Sequence, residues 1–277
     1  GQVKCYDDVA EILCPEAGDP FFGQDASYLG TPVNLEDNED GTVTEKVTGL
    51  TWQKCLAGQG LEDCSGEGLA LSWEGAKDHC TGNSGGLPGT GWRLPSLVER
   101  LTINFAFPGC IGSVFYDGGT GVKWDWTAQE FDSDHAYNFS LTHCGTGGPD
   151  KTLQGNVRCV KGPEFIPGIF EDNLDGTVAD LSTGLVWQQV NDEVGRTWEE
   201  ALAYCQDLEL GDQTDWRLPN AKEIYTLADF KGITAAVNED FFPPASWRYW
   251  TATSFEAGDH AYGLHKIGTI GGIGTDE

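Results

Sequence analysis

Two stretches of this chain line up oxygen-bearing side chains at alternate positions ahead of a glycine: Glu36-x-Asn38-x-Asp40-Gly41 and Glu171-x-Asn173-x-Asp175-Gly176. Carboxylate and amide oxygens at that spacing resemble the first half of an EF-hand-like loop, where a hard cation such as calcium sits. Asp37, Asp172, Glu45 and Asp180 add carboxylates nearby. The bidentate glutamate that closes such a loop at its twelfth position is missing in both stretches. An Asx-rich hairpin turn without metal produces the same pattern. Calcium at Glu36, Asp37, Asn38, Asp40 and Glu45, and at Glu171, Asp172, Asn173, Asp175 and Asp180, is one expectation, and a plain turn is the other.

The nine cysteines offer a second chemistry. Cys5 and Cys14 enclose eight residues, as do Cys55 and Cys64, too wide for the two-to-four-residue knuckle of a tetrahedral zinc site. Small loops closed by disulfides in an oxidising compartment fit better. His135 and His260 sit in matching Asp-His-Ala-Tyr segments, with no second histidine within helical or strand reach, and are expected to be surface or hydrogen-bonded residues. Arg93 and Arg217, in two Trp-Arg-Leu-Pro segments, are expected to pair internal carboxylates. The sequence contains no Gly-x-Ser-x-Gly elbow, no His-Glu-x-x-His and no phosphate-cradling loop. No catalytic residue is assigned, and a non-enzyme is expected.

The elements that must carry these residues come in two sets. Asp37 to Gln53 recurs as Asp172 to Gln188, at an offset of 135 residues. Ser72-Trp73-Glu74 through Cys80 recurs as Thr197-Trp198-Glu199 through Cys205, at an offset of 125, and Trp92-Arg93-Leu94-Pro95 as Trp216-Arg217-Leu218-Pro219, at 124. Trp126-Thr127-Ala128 matches Trp250-Thr251-Ala252, and the Asp-His-Ala-Tyr segments match in turn. The shrinking offset assigns the first copy about ten extra residues, a surface loop holding Cys55 and Cys64. The first copy ends in Asn156-Val-Arg-Cys-Val160, whose counterpart would fall near position 281, so the second copy is expected to lack its last strand within this chain.

Asp40-Gly41 and Asp175-Gly176 predict hairpin turns, each followed by an alternating strand, a Thr-Gly turn and a second strand ending at Trp52 or Trp187. Trp198, Ala201, Leu202 and Cys205 predict a helix over 197–208 with Thr197 as N-cap. A second helix is predicted over 220–230. The expected organisation is a leader (1–32), a first domain (33–162), a linker (163–169) and a second domain (170–277).

Composition bounds the partners. Lys+Arg number 16 against 44 Asp+Glu, a formal charge of −28, which repels nucleic-acid phosphate and anionic lipid and attracts divalent cations. No apolar run approaches the roughly 18 to 20 residues that span a bilayer, so no membrane insertion is expected. A start at Gly-Gln with cysteines downstream is read as a secreted protein whose signal segment has been removed.

The ordered motifs Asp-Asn-x-Asp-Gly-Thr-Val, Thr-Gly-Leu-x-Trp-Gln, the Trp-x-x-Ala helix, Trp-Arg-Leu-Pro, the Trp-Thr-Ala-Thr type of strand and the closing Arg-Cys-Val resemble the Lcl C-terminal domain family, the tip domain of bacterial collagen-like adhesins. The resemblance covers residues 33–162 and 168–277. It implies an α+β fold, two tandem C-type-lectin-like domains, each a small antiparallel sheet with two helices and long loops, distantly related to formylglycine-generating enzymes. It also implies a core bridge from the first helix to the final strand, Cys80–Cys159, which leaves Cys110–Cys144 as remaining partners and Cys205 unpaired. The Glu-Pro-Asn and Trp-Asn-Asp sugar motifs of calcium-dependent lectins are absent, so no sugar site carries over. Two functions follow as expectations: a structural subunit of an extracellular fibre or surface assembly built from copies of itself with divalent ions, or a cell-surface adhesin gripping polysaccharide with its loops.

Overall fold

The computed structural model describes residues 4–28, 34–103, 115, 121–141, 146–227, 237–243, 248–254, 260–265 and 270–274. A short hairpin of β1 (Cys5–Tyr6) and β2 (Glu11–Ile12) is held by the Cys5–Cys14 disulfide. The first copy follows with β3 (Leu35–Asp37), β4 (Thr42–Glu45), β5 (Leu50–Gln53) and β6 (Ala70–Leu71), then α1 (Trp73–Thr81) and α2 (Leu97–Thr102). It closes with β7 (Trp124–Glu130), β8 (Ala136–Ser140), β9 (Thr146–Gly147), β10 (Gly155–Asn156) and β11 (Val160–Lys161). The second copy holds β12 (Phe170–Asp172), β13 (Thr177–Asp180), β14 (Val186–Gln188), α3 (Trp198–Gln206), α4 (Ala221–Ile224), β15 (Arg248–Ser254), β16 (His260–His265) and β17 (Ile270–Gly274). The class is α+β, with small sheets and few helices.

The chain falls into two compact units, Thr31–Phe165 and Gly1–Gly30 with Ile166–Glu277. In the first unit the strands form two sheets, β6-β10-β7-β8-β9 and β11-β5-β4-β3. One small antiparallel sheet per domain was expected. The difference arises because the closing segment crosses between sheets: Asn156 pairs parallel beside Asp125 of β7, and Val160 then pairs antiparallel with Trp52 of β5. Among the described residues, the second copy forms the sheets β12-β13-β14 and β15-β16-β17.

Local rules account for the helices. Ser72, Ser96, Thr197 and Asn220 each cap a helix with a side-chain oxygen, and the last three complete capping boxes with Glu99, Glu200 and Glu223. The helix expected over 220–230 is shorter than that. It tightens after Ile224 into a 3-10 turn over Tyr225–Leu227, where the Thr226 hydroxyl donates to the Glu223 carbonyl; residues 228–230 lie outside the described residues.

One core cluster in each copy is built on a helix tryptophan. Buried Trp73 packs with Ala76, Cys80, Trp126, Val157 and Cys159, and its indole N–H donates to the Thr127 carbonyl at 2.8 Å. Trp198 packs with Ala201, Leu202, Leu218, Ala252 and Ala261, and donates to the Thr251 carbonyl at 2.9 Å. A buried ring contributes a large apolar area while its single polar atom stays satisfied. In the second unit Phe21 lies against this core, its ring 6.1 Å from that of Trp198.

Candidate functional site

The two oxygen-rich loops fold as hairpin turns whose side chains serve their own backbone. Asp37 and Asp172 accept the N–H groups of Glu39 (3.0 Å) and Leu174 (2.8 Å), residues held at φ 58° and 62°. Asp40 and Asp175 accept from Thr42 and Thr177 at 3.1 and 3.0 Å. Asn38 and Asn173 turn their amide N–H groups toward the Thr42 and Thr177 hydroxyls. Asp37 also pairs with Lys54, which together with the Glu39 N–H lowers its pKa. Glu36 pairs with Lys46 at 2.8 Å. Glu45 and Asp180 are buried and accept N–H groups of the next turn, at Val47, Thr48 and Ser182, while Glu171 is exposed on β12. Among the described residues no three carboxylate, histidine or cysteine groups converge as cation ligands.

Arg93 and Arg217 form bidentate pairs with Glu99 (2.6 and 2.6 Å) and Glu223 (2.7 and 2.6 Å), and each carboxylate raises its arginine's pKa. Each glutamate also closes its capping box, so the Trp-Arg-Leu-Pro segment is tied to the start of the following helix. His135 pairs with Asp132 at 2.7 Å; the His260 side chain lies outside the described residues, as do Cys110 and Cys144. Disulfides join Cys55 to Cys64 and Cys80 to Cys159, and Cys205 is free.

Cys205 lines a cavity of the second copy. In the first copy, Gly155–Lys161 fills the corresponding space. The Ala57 and Gln53 N–H groups donate to the carbonyls of Val157 (3.0 Å) and Cys159 (2.9 Å), and Val160 exchanges two 2.9 Å backbone hydrogen bonds with Arg93. The buried Arg158 guanidinium donates to the carbonyls of Gln53 and Lys54. Lys161 reaches the Pro88 carbonyl and lies over the Trp92 ring.

The matching positions of the second copy line one groove of about 660 Å3. Val186, Trp187 and Gln188 line it together with Arg217, Leu218 and Cys205. Arg248, Tyr249 and Trp250 of β15 extend the lining toward the second sheet. Among the described residues, β14 and β15 stand at the ends of their sheets. The half-buried Cys205 thiol has its pKa pushed up to about 11 by desolvation, so at neutral pH it is a neutral, weakly nucleophilic group.

Other features give no local sequence signal. Arg100 and Asp125 form a fully buried pair at 2.8 Å, 25 residues apart. In the second copy the matching positions are Ile224 and Tyr249. The leader packs on its own unit through Tyr28, whose hydroxyl accepts from Gln206 and whose ring lies beneath the Arg217 guanidinium. Burial raises the Tyr28 pKa.

Among the described residues no helix is long and apolar enough to cross a membrane. A family model, that of the Lcl C-terminal domain, matches residues 41–161 and 176–274. No curated protein matches the chain significantly.

Proposed function

Because the chain belongs to the Lcl C-terminal domain family, we propose that it works outside the cell as a non-catalytic surface protein, a structural subunit of an extracellular fibre or surface assembly. The observation that carries this reading is the duplication: one domain type occurs twice in a single chain, its first copy stapled by Cys80–Cys159. Two similar faces on one subunit favour head-to-tail contacts, which propagate when the rotation between subunits does not close. The family and the disulfides support a surface, oxidising location. A C-type-lectin-like arrangement belongs to the same reading, supported by the bridge from α1 to the segment that leads into β11.

A net charge of −28 makes like subunits repel, so divalent cations, calcium first, are proposed to bring them together by screening acidic faces. The second reading is an adhesin that binds polysaccharide, favoured by the collagen-like adhesins for which the family is named. Negative-stain microscopy separates the two. Ordered polymers in millimolar calcium that disperse on chelation are the expected result. Single particles under both conditions, together with retention on an immobilised polysaccharide, would replace the assembly reading with the adhesin one.

A further inference from the structure

Each copy of the domain is entered through a segment that docks on the other copy. Ahead of β12, the Phe165 N–H donates to the Glu99 carboxylate at 3.3 Å, and Glu164 adds to the effect of Glu99 in raising the Arg93 pKa. Ahead of β3, the Tyr28 ring lies 5.3 Å from the guanidinium carbon of Arg217, which is paired with Glu223. The matching Arg–Glu pair is thus the landing point in both copies. The direction differs. The segment that leads into the second copy sits on the copy before it in the chain, whereas the leader, which leads into the first copy, sits on the copy after it. One rule covers both when chains are joined end to end, because every entering segment then docks on the copy that precedes it. Resting on the assembly reading, we propose that the leader docks on the second copy of a neighbouring chain, with residues 21–28 as the donor and the α3–α4 face as the acceptor of the subunit contact.

The leader has the properties of a movable donor. The Cys5–Cys14 bridge closes its hairpin, and the Gln24 amide clasps Tyr6, accepting its N–H at 2.9 Å and donating to its carbonyl at 2.7 Å, so its shape is fixed from within. Its acceptor is specific. Phe21 packs against the Trp198 cluster, the Tyr28 hydroxyl accepts from Gln206, and the Asn220 amide donates to the buried Asp25 at 3.5 Å. Gly23 lies so close to Gln206 that a Cβ would stand 3.2 Å from its amide nitrogen. The same contacts form whether leader and acceptor belong to one chain or to two, and exchange of an identical element is a low-cost route to association for that reason. Donor and acceptor are different surfaces, so each added chain leaves one of each free, and the contact propagates rather than closing into a two-fold pair.

The test follows the leader in the full chain. Tyr28→p-benzoylphenylalanine keeps an aromatic ring at the contact and cross-links to its neighbours under light. Equal amounts of unlabelled and heavy-nitrogen-labelled chain are mixed, calcium is added, the sample is irradiated, and the cross-linked peptides are identified by mass. About half of the cross-links between the leader and the α3–α4 face are expected to join a light chain to a heavy one, the share that random pairing between chains gives. Gln206→Trp, which fills the space against Gly23, should abolish both these cross-links and the polymers; polymers that survive it would overturn the proposal. Polymers whose cross-links join only like-labelled segments would also overturn it and leave the assembly reading standing. Single particles with only like-labelled cross-links would remove both. Mixed cross-links in particles that stop at two chains would uphold the leader contact and replace the fibre by a closed pair.

Discussion

At the residue scale the two copies solve one packing problem with different chemistry. Arg100 and Asp125 are both removed from water in the first copy, and the guanidinium also lies over the Phe139 ring. The second copy has Ile224, Tyr249 and Leu264 at these positions. Removing one partner of a buried pair leaves an uncompensated charge, whereas an apolar replacement of both with similar total volume is often neutral. Arg100→Ile alone is therefore expected to cost the first unit about 3 to 5 kcal/mol. The double variant Arg100→Ile, Asp125→Val, which is apolar and close to the pair in total volume, should recover most of that loss. Urea unfolding of the single and double variants checks it, and a double variant no better than the single would refute the exchange.

At the element scale, stability depends on how helices begin and where backbones approach side chains. Thr197 accepts the Glu200 N–H and Glu200 returns a carboxylate to the Thr197 N–H, so Thr197→Ala should destabilise the second unit by about 1 kcal/mol. Gly155 has a different constraint: a Cβ there would lie 2.2 Å from the Trp124 ring. Gly155→Ala must push β10 away from β6 and β7, and overpacking of that kind costs about 1 to 3 kcal/mol. Amide exchange should show faster opening confined to the β6-β10-β7 junction in Gly155→Ala and to α3 in Thr197→Ala. Unchanged protection at those sites would contradict the assignments.

At the scale of the whole molecule the bridges are unevenly shared. Cys80–Cys159 spans 79 residues in the first unit, and the loop-closure argument gives it about 4 to 5 kcal/mol. The second unit contains Cys5–Cys14, which spans only nine and is worth about 2 to 3 kcal/mol on the same argument. Calorimetry with and without a reductant should show two transitions, with the one belonging to residues 31–165 shifted further down. Equal shifts, or one transition that moves as a whole, would mean that the units do not unfold separately.

What could be read from the chain alone lay within a few residues of each signal. The Asp-Gly turns, the N-cap at Thr197, the expectation that Arg93 and Arg217 pair carboxylates, and the doubled motif order all depend on short-range spacing, which survives in a one-dimensional string. The tertiary structure decided the rest. The loop carboxylates accept N–H groups of their own turns, as Asx side chains do in tight turns. Arg100 finds Asp125 across 25 residues, and Arg158 finds the Gln53 carbonyl across 105. Residues of β14, α3 and β15, far apart in the chain, come to line one groove. Such meetings depend on which surfaces bury each other, and no local pattern of residue types records that choice.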